Sequence, residues 1–131
     1  MNDLLLPEGS LLLHIGPLKT GSTAIQQAMH EARAQLAEHG VFYPGPFHPP
    51  PAWRPSAATD AVMGRPPGIG RPTPRIEWWE QLVADLDANP LPRACVSNEV
   101  FGRATEATGL ARIAGDLGRG DPGRLHLVSV A

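Results

Sequence analysis

A short loop with one lysine, two glycines and three hydroxyl side chains carries the clearest chemistry in this sequence. It spans residues 16–23 and reads Gly-Pro-Leu-Lys-Thr-Gly-Ser-Thr; we call it the lysine loop. Backbone N–H groups in such a loop, the dipole of a following helix and the full charge of Lys19 all favour a bound anion. We therefore expect a phosphate-like group to bind here.

The flanking residues predict a strand before the lysine loop and a helix after it. Residues 11–15 are nearly all apolar between Gly-Ser and Gly-Pro pairs, which is typical of a strand buried on both faces of a parallel sheet. From Ser22 the apolar residues recur at helical spacing until Gly40 supplies a stop. A brief extended segment, residues 41–43, follows and is closed by Pro44.

The position of the lysine separates this loop from the Walker A loop of nucleotide triphosphatases. In Walker A the lysine directly follows a glycine and directly precedes Ser or Thr. Here Lys19 follows Leu18, and Gly21 comes after it. In addition, no predicted strand ends in the aspartate of a Walker B site. A P-loop kinase or another nucleotide-binding enzyme is therefore kept only as an alternative.

The lysine loop resembles the 5′-phosphosulfate-binding loop of sulfotransferases, whose pattern is Pro-Lys-x-Gly-Thr-Thr after the first strand. Lys19, Gly21 and Thr23 match that pattern. Ser22 replaces the first threonine, and Leu18 stands where the family usually has proline. Further segments similar to bacterial members are His14-Ile15-Gly16, Gln26, Ser97-Asn98-Glu99 and residues 124–130.

This resemblance implies transfer of a sulfuryl group from 3′-phosphoadenosine 5′-phosphosulfate (PAPS) to a hydroxyl or amine of a small-molecule or glycan-type acceptor. A loose, in-line transition state makes positioning and charge stabilisation the main catalytic terms. The resemblance implies that Lys19 meets the charge on the bridging oxygen and that no metal is required. The residues expected to bind the 5′-phosphate are Lys19, Thr20, Gly21, Ser22 and Thr23.

Glu99 is the candidate general base, because it follows the second long strand at the edge of the sheet where ligands of open α/β folds collect. The competing interpretation is a solvent-exposed carboxylate that caps or pairs near Phe101-Gly102-Arg103. His14, on an apolar strand beside the lysine loop, is interpreted as a hydrogen-bonded near-core histidine rather than a catalytic one.

The rest of the chain predicts an α/β fold, a three-layer P-loop-like parallel sheet with flanking helices. Residues 44–74 hold ten of the fifteen prolines and predict a loop with a helical turn around residues 57–63; whether it is a lid or disordered stays open. Thr73 and Pro74 predict the cap and first residue of a second helix, and Thr105 caps a third ending near Gly118. The three predicted strands are residues 11–15, 94–97 and 125–130.

Two conspicuous residue types are expected to be structural. Cys95 lies in an apolar run and is interpreted as a small buried hydrophobe rather than a nucleophile. Trp78 and Trp79 are interpreted as packing residues of the second helix rather than a ligand-stacking pair.

Composition restricts the partners and the compartment. A net charge of -2 argues against a general nucleic-acid binder, and no apolar segment reaches the roughly 20 residues of a membrane span. The N-terminus lacks the basic region of a signal peptide, so a cytoplasmic location is expected. Residues 1–131 form one expected domain. Because the last strand ends at Ala131 with no covering helix, we expect this domain to be the N-terminal part of a sulfotransferase domain; a non-catalytic remnant is the alternative.

Overall fold

The computed structural model describes residues 6–15, 22–44, 55–65, 69, 73–98, 101, 109–118 and 124–128, with the side chains of residues 22–26 and 55–57 outside the description. The elements in chain order are β1 (Leu11–His14), α1 (Ser22–Glu31), α2 (Arg33–Glu38), β2 (Val41–Phe42), α3 (Pro55–Val62), α4 (Ile76–Asp87), β3 (Arg93–Ser97), α5 (Leu110–Gly118) and β4 (Leu125–Val128).

The strands form one parallel sheet with flanking helices, in the order β2-β3-β1-β4. This confirms the predicted α/β class. The predicted count of three strands is wrong, because Val41 and Phe42 pair with Arg93 and Ala94 and form a fourth strand at the edge of the sheet. Gly40, at a φ of 79°, ends the preceding helix and turns the chain into this pairing.

The two faces of the sheet differ in what they bury. Leu11 and Leu13 lie in register with Ala94 and Val96, so these four side chains share one face. They join the main core with residues of α3, α4 and α5, namely Ala58, Trp79, Leu82, Leu86, Ile113 and Leu117. The opposite face presents Leu12, His14, Cys95 and Ser97.

Helix α4 supplies the centre of that core. Trp79 and Leu82 are fully buried, and the indole Nε1 of Trp79 donates a hydrogen bond to Asp116 Oδ2 of α5 at 2.8 Å. The Trp79 ring also meets Phe101 edge-on, with ring centroids 6.2 Å apart. Trp78 is partly buried against the same core. The interpretation of both tryptophans as packing residues is confirmed.

The helices depart from the predicted bounds at two points. The first predicted helix is split at Ala32 into α1 and α2, where the backbone shifts to φ -89° and ψ 9°. The predicted cap of the second helix at Thr73 is wrong: Arg75 is extended and occupies the N-cap position of α4, without a side-chain cap hydrogen bond. A cap contributes only about 1 kcal/mol, so docking of the apolar stripe of α4 outweighs it.

The proline-rich segment contains more regular structure than a single turn. Helix α3 runs from Pro55 to Val62 and packs against α4. Proline at its first position loses no intrahelical hydrogen bond, because the first N–H groups of a helix have no intrahelical acceptor. The predicted helical turn is therefore confirmed as a two-turn helix. The predicted cap at Thr105 lies outside the described residues, and α5 is described from Leu110.

Within the described part of the chain, no helix is long and apolar enough to cross a membrane.

Candidate functional site

Four polar side chains are buried together where β1 and β3 end. They are His14, which is 7% exposed, and Thr59, Ser97 and Asn98, which are fully buried. We call them the edge cluster, because they lie at the edge of the sheet where its strands have their carboxyl ends, not at an outer strand. His14 and Ser97 are register partners on adjacent strands, and the His14 Nδ1 and Ser97 Oγ atoms lie 2.9 Å apart in a buried hydrogen bond. This contact fixes the orientation of the imidazole ring.

Asn98 ties the end of β3 to helix α3 and to the neighbouring strand β1. Its side-chain Nδ2 donates to Thr59 Oγ1 of α3 at 2.8 Å, and its backbone N–H donates to the carbonyl oxygen of His14 at 2.9 Å. Its own carbonyl accepts a hydrogen bond from Phe101 at 3.3 Å. These hydrogen bonds fix the position of Asn98 at the end of β3, and Glu99 is the next residue in the sequence.

The strand order explains why the carboxyl ends of β1 and β3 suit a ligand. From β1 the chain passes β3 to reach β2 at one edge of the sheet, whereas from β3 it passes β1 to reach β4 at the other. The adjacent strands β1 and β3 thus have connections that leave in opposite directions. In open α/β sheets ligands bind at such a switch point, outside the carboxyl ends of the strands.

One buried polar atom of the edge cluster makes no hydrogen bond to the described residues. The Nε2 atom of His14 is buried and has no hydrogen-bond partner among the residues that the structure describes. The prediction of a hydrogen-bonded near-core histidine is confirmed for the burial of the ring and for Nδ1, whereas Nε2 makes no hydrogen bond to the described residues. Buried polar atoms without partners are uncommon in native proteins, so this one calls for an explanation.

The predicted site residues follow the edge cluster in the sequence: the lysine loop begins two residues after His14, and Glu99 directly follows Asn98. Lys19, Thr20, Gly21 and Glu99 are outside the described residues. The backbone of Ser22 and Thr23 opens helix α1, as predicted, and their side chains are outside the description. Pairing of β1 with β4 continues to Ile15, whose N–H donates to the carbonyl oxygen of Val128 at 3.0 Å. The lysine loop begins at the following residue.

No protein-family model, curated protein or solved structure matches this chain.

Sequence reasoning missed three members of the edge cluster as site residues: Thr59, Ser97 and Asn98. A signal for Ser97 and Asn98 was present, because two polar residues directly follow the apolar run 94–96 at the carboxyl end of a strand. Thr59 had no comparable signal, since its contact with Asn98 joins residues 39 positions apart and depends on how α3 packs.

Cys95 lies two residues before Ser97 in β3, on the same face of the sheet, and has no feature of a nucleophile. It is a free, buried thiol, and burial raises its pKa to about 11, which disfavours the reactive thiolate. Its interpretation as a small hydrophobe is confirmed. The neighbouring Tyr43 is also buried, and burial together with Cys95 raises its pKa to about 12.

Proposed function

We propose that this chain is a sulfotransferase-like protein with a P-loop-like strand–loop–helix unit. In this proposal it transfers a sulfuryl group from PAPS to an acceptor hydroxyl or amine. The observation that carries the proposal is the arrangement around the lysine loop: central strand β1 ends at His14, and helix α1 begins at Ser22. A Lys-Thr-Gly-Ser-Thr sequence joining the carboxyl end of a central parallel strand to a helix N-terminus suits a sulfate- or phosphate-type anion.

The residues near this edge fit such a co-substrate. Lys19 supplies a full positive charge, and the hydroxyl and backbone N–H groups of residues 20–23 supply further donors. These groups would stabilise the negative charge that develops on the oxygen between sulfur and the 5′-phosphate.

Glu99 is proposed as the base that takes the acceptor proton. In this reaction the bond from sulfur to the bridging oxygen breaks, a bond from sulfur to the acceptor oxygen or nitrogen forms, and 3′-phosphoadenosine 5′-phosphate leaves. Asn98 supports this role because its hydrogen bonds to Thr59 and His14 hold the chain immediately before Glu99. A fixed neighbour limits the positions that the carboxylate can occupy, which general base catalysis needs.

Calorimetric titration tests the proposal directly. The full 131-residue chain is titrated with 3′-phosphoadenosine 5′-phosphate and, separately, with ATP and magnesium. We expect the adenosine bisphosphate to bind more tightly, without a requirement for magnesium. Tighter, magnesium-dependent ATP binding would instead indicate a P-loop nucleotide enzyme, and binding of neither would indicate a non-catalytic remnant.

The role of Glu99 is tested by separating binding from transfer. The variant Glu99→Gln keeps the shape of the side chain and removes its basicity. We expect its affinity for 3′-phosphoadenosine 5′-phosphate to stay within about threefold of the wild type. Transfer of labelled sulfuryl groups to a panel of phenols, alcohols, sugars and amines is expected to fall roughly 10²- to 10⁴-fold. Unchanged transfer would remove Glu99 from the mechanism.

A further inference from the structure

We propose that His14 is a ligand-binding residue, whose Nε2–H donates a hydrogen bond to an oxygen of the anion held by the lysine loop. The inference rests on the proposed function, because it adds a donor to the same site. It differs from the expectation based on sequence, which treated His14 as a hydrogen-bonded near-core histidine without a functional role.

The first argument is the state of the ring in the structure. His14 is 7% exposed, its Nδ1 is bonded to Ser97 Oγ at 2.9 Å, and its Nε2 is buried with no partner among the described residues. Leaving a buried polar atom unpaired lowers the stability of the fold. A binding role would explain why a histidine, rather than an apolar residue, stands at the end of an otherwise apolar strand.

The second argument is the tautomer that the Ser97 contact allows. When the Ser97 hydroxyl donates to Nδ1, the single proton of the neutral ring lies on Nε2, which is then a donor. When the ring is protonated, Nε2 is a donor as well. Both forms present N–H to an anion, so a bound phosphate or sulfonate oxygen favours them over the remaining tautomer.

The third argument is position. His14 is the last residue of β1, and only Ile15 separates it from the lysine loop. It also lies at the switch point between β1 and β3, where the edge cluster is located. His126 provides a contrast on the same face of the sheet: its Nε2 is already 3.3 Å from Ser10 Oγ, beyond the opposite end of β1.

Two amide substitutions separate the nitrogen atoms of the ring. In His14→Asn the amide occupies the Nδ1 position, so the contact with Ser97 can be kept while the Nε2 donor is lost. In His14→Gln the amide reaches the Nε2 position and keeps a donor there. His126→Asn is the matched control, because it alters a strand histidine that is bonded to a serine outside the edge cluster.

The measurement is calorimetric titration of each full-length variant with 3′-phosphoadenosine 5′-phosphate, together with a thermal melt. We expect His14→Asn to weaken binding about 10- to 100-fold, as for loss of one hydrogen bond to a charged group. His14→Gln is expected to stay within about fivefold of the wild type, and His126→Asn to bind like the wild type. Equal affinities of wild type and His14→Asn, or equal losses in both His14 variants, would overturn the inference.

A second measurement needs no substitution. In the wild-type chain with ¹⁵N-labelled histidine, titration with 3′-phosphoadenosine 5′-phosphate is expected to shift the Nε2 resonance of His14 and to leave that of His126 unchanged. Binding without a shift at His14 Nε2 would overturn this inference and leave the proposed function standing. Failure of the wild type to bind the probe would overturn the proposed function, and this inference with it.

Discussion

At the scale of single residues, the buried pair His14 and Ser97 couples the proposed binding group to the stability of the fold. Removing one partner leaves the other buried and unpaired, whereas replacing both with apolar groups can be nearly neutral. We therefore expect His14→Leu and Ser97→Ala each to lower the free energy of unfolding by about 1–3 kcal/mol. The double variant is expected to lose at least about 1 kcal/mol less than the sum of the single losses. Urea denaturation measures all three, and strict additivity would contradict a direct interaction.

Lys19 is the only lysine of the chain, which makes its role measurable in isolation. Removal of a full charge beside a bound anion is expected to weaken binding of 3′-phosphoadenosine 5′-phosphate in Lys19→Ala by at least about 10-fold. Arg75→Ala is the charge-matched control, because Arg75 is exposed at the start of α4 and pairs with Glu77. Calorimetry compares the two variants. Similar affinities for both would mean that Lys19 does not contact the anion.

At the scale of elements, the approach of α5 to α3 depends on one glycine. Gly109 precedes α5 at a φ of 86°, and a Cβ atom there would lie 2.7 Å from the carbonyl oxygen of Val62. Gly9 has the same φ but open space around it. We expect Gly9→Ala to cost about 1–2 kcal/mol from backbone strain alone, and Gly109→Ala to cost clearly more because it adds a backbone clash. Urea denaturation measures both; equal losses would show that α5 shifts to accommodate the methyl group.

The junction of β2 and β3 is predicted to make the fold sensitive to alkali. Burial raises the pKa of Cys95 from 9.0 to about 11, and burial with Cys95 raises that of Tyr43 from 10.0 to about 12. Unfolding at high pH therefore releases protons, so this part of the stability is complete below about pH 9 and is lost as the pH rises through 11–12.

The expected loss is on the order of 2 kcal/mol for each group by pH 12. Chemical denaturation at pH 8, 10 and 12 measures it. The double variant Tyr43→Phe and Cys95→Ala is the control, since neither new side chain ionises. A wild-type pH dependence as shallow as that of the control would contradict these buried ionisations.

Some of these elements could be predicted from sequence because the pattern acts within one segment. Burial could be predicted from the apolar pattern within a single segment for β1, β3 and α4. The two residues of β2 are too few for a pattern, and their pairing is fixed by β3, about fifty positions away. The break at Ala32 has neither glycine nor proline to mark it. In the site, the lysine loop could be recognised from sequence, whereas the contact of Asn98 with Thr59 needed the packing of α3.

At the scale of the whole molecule, the sheet order links the core to the proposed site. Strands β1 and β3 lie in the interior of the sheet, and they are the two strands whose ends form the edge cluster. The two interior strands therefore carry residues of the site that we propose binds the anion. A rigid support of this kind favours binding because less freedom is lost when the ligand is held.

This difference between interior and edge strands predicts a gradient of hydrogen exchange. Leu11 and Val96, in β1 and β3, are fully buried, whereas Leu127 and Val128 of β4 are 61% and 41% exposed. Backbone amide hydrogens of the interior strands should therefore exchange only when the whole protein unfolds. Those of β4 should exchange through smaller local openings. We expect the peptides covering residues 11–14 and 93–97 to exchange roughly 10²-fold or more slowly than the peptide covering 125–128, as measured by mass spectrometry. Equal protection of β4 would show that its exposed face is covered in solution, because pairing with β1 alone does not shield these side chains.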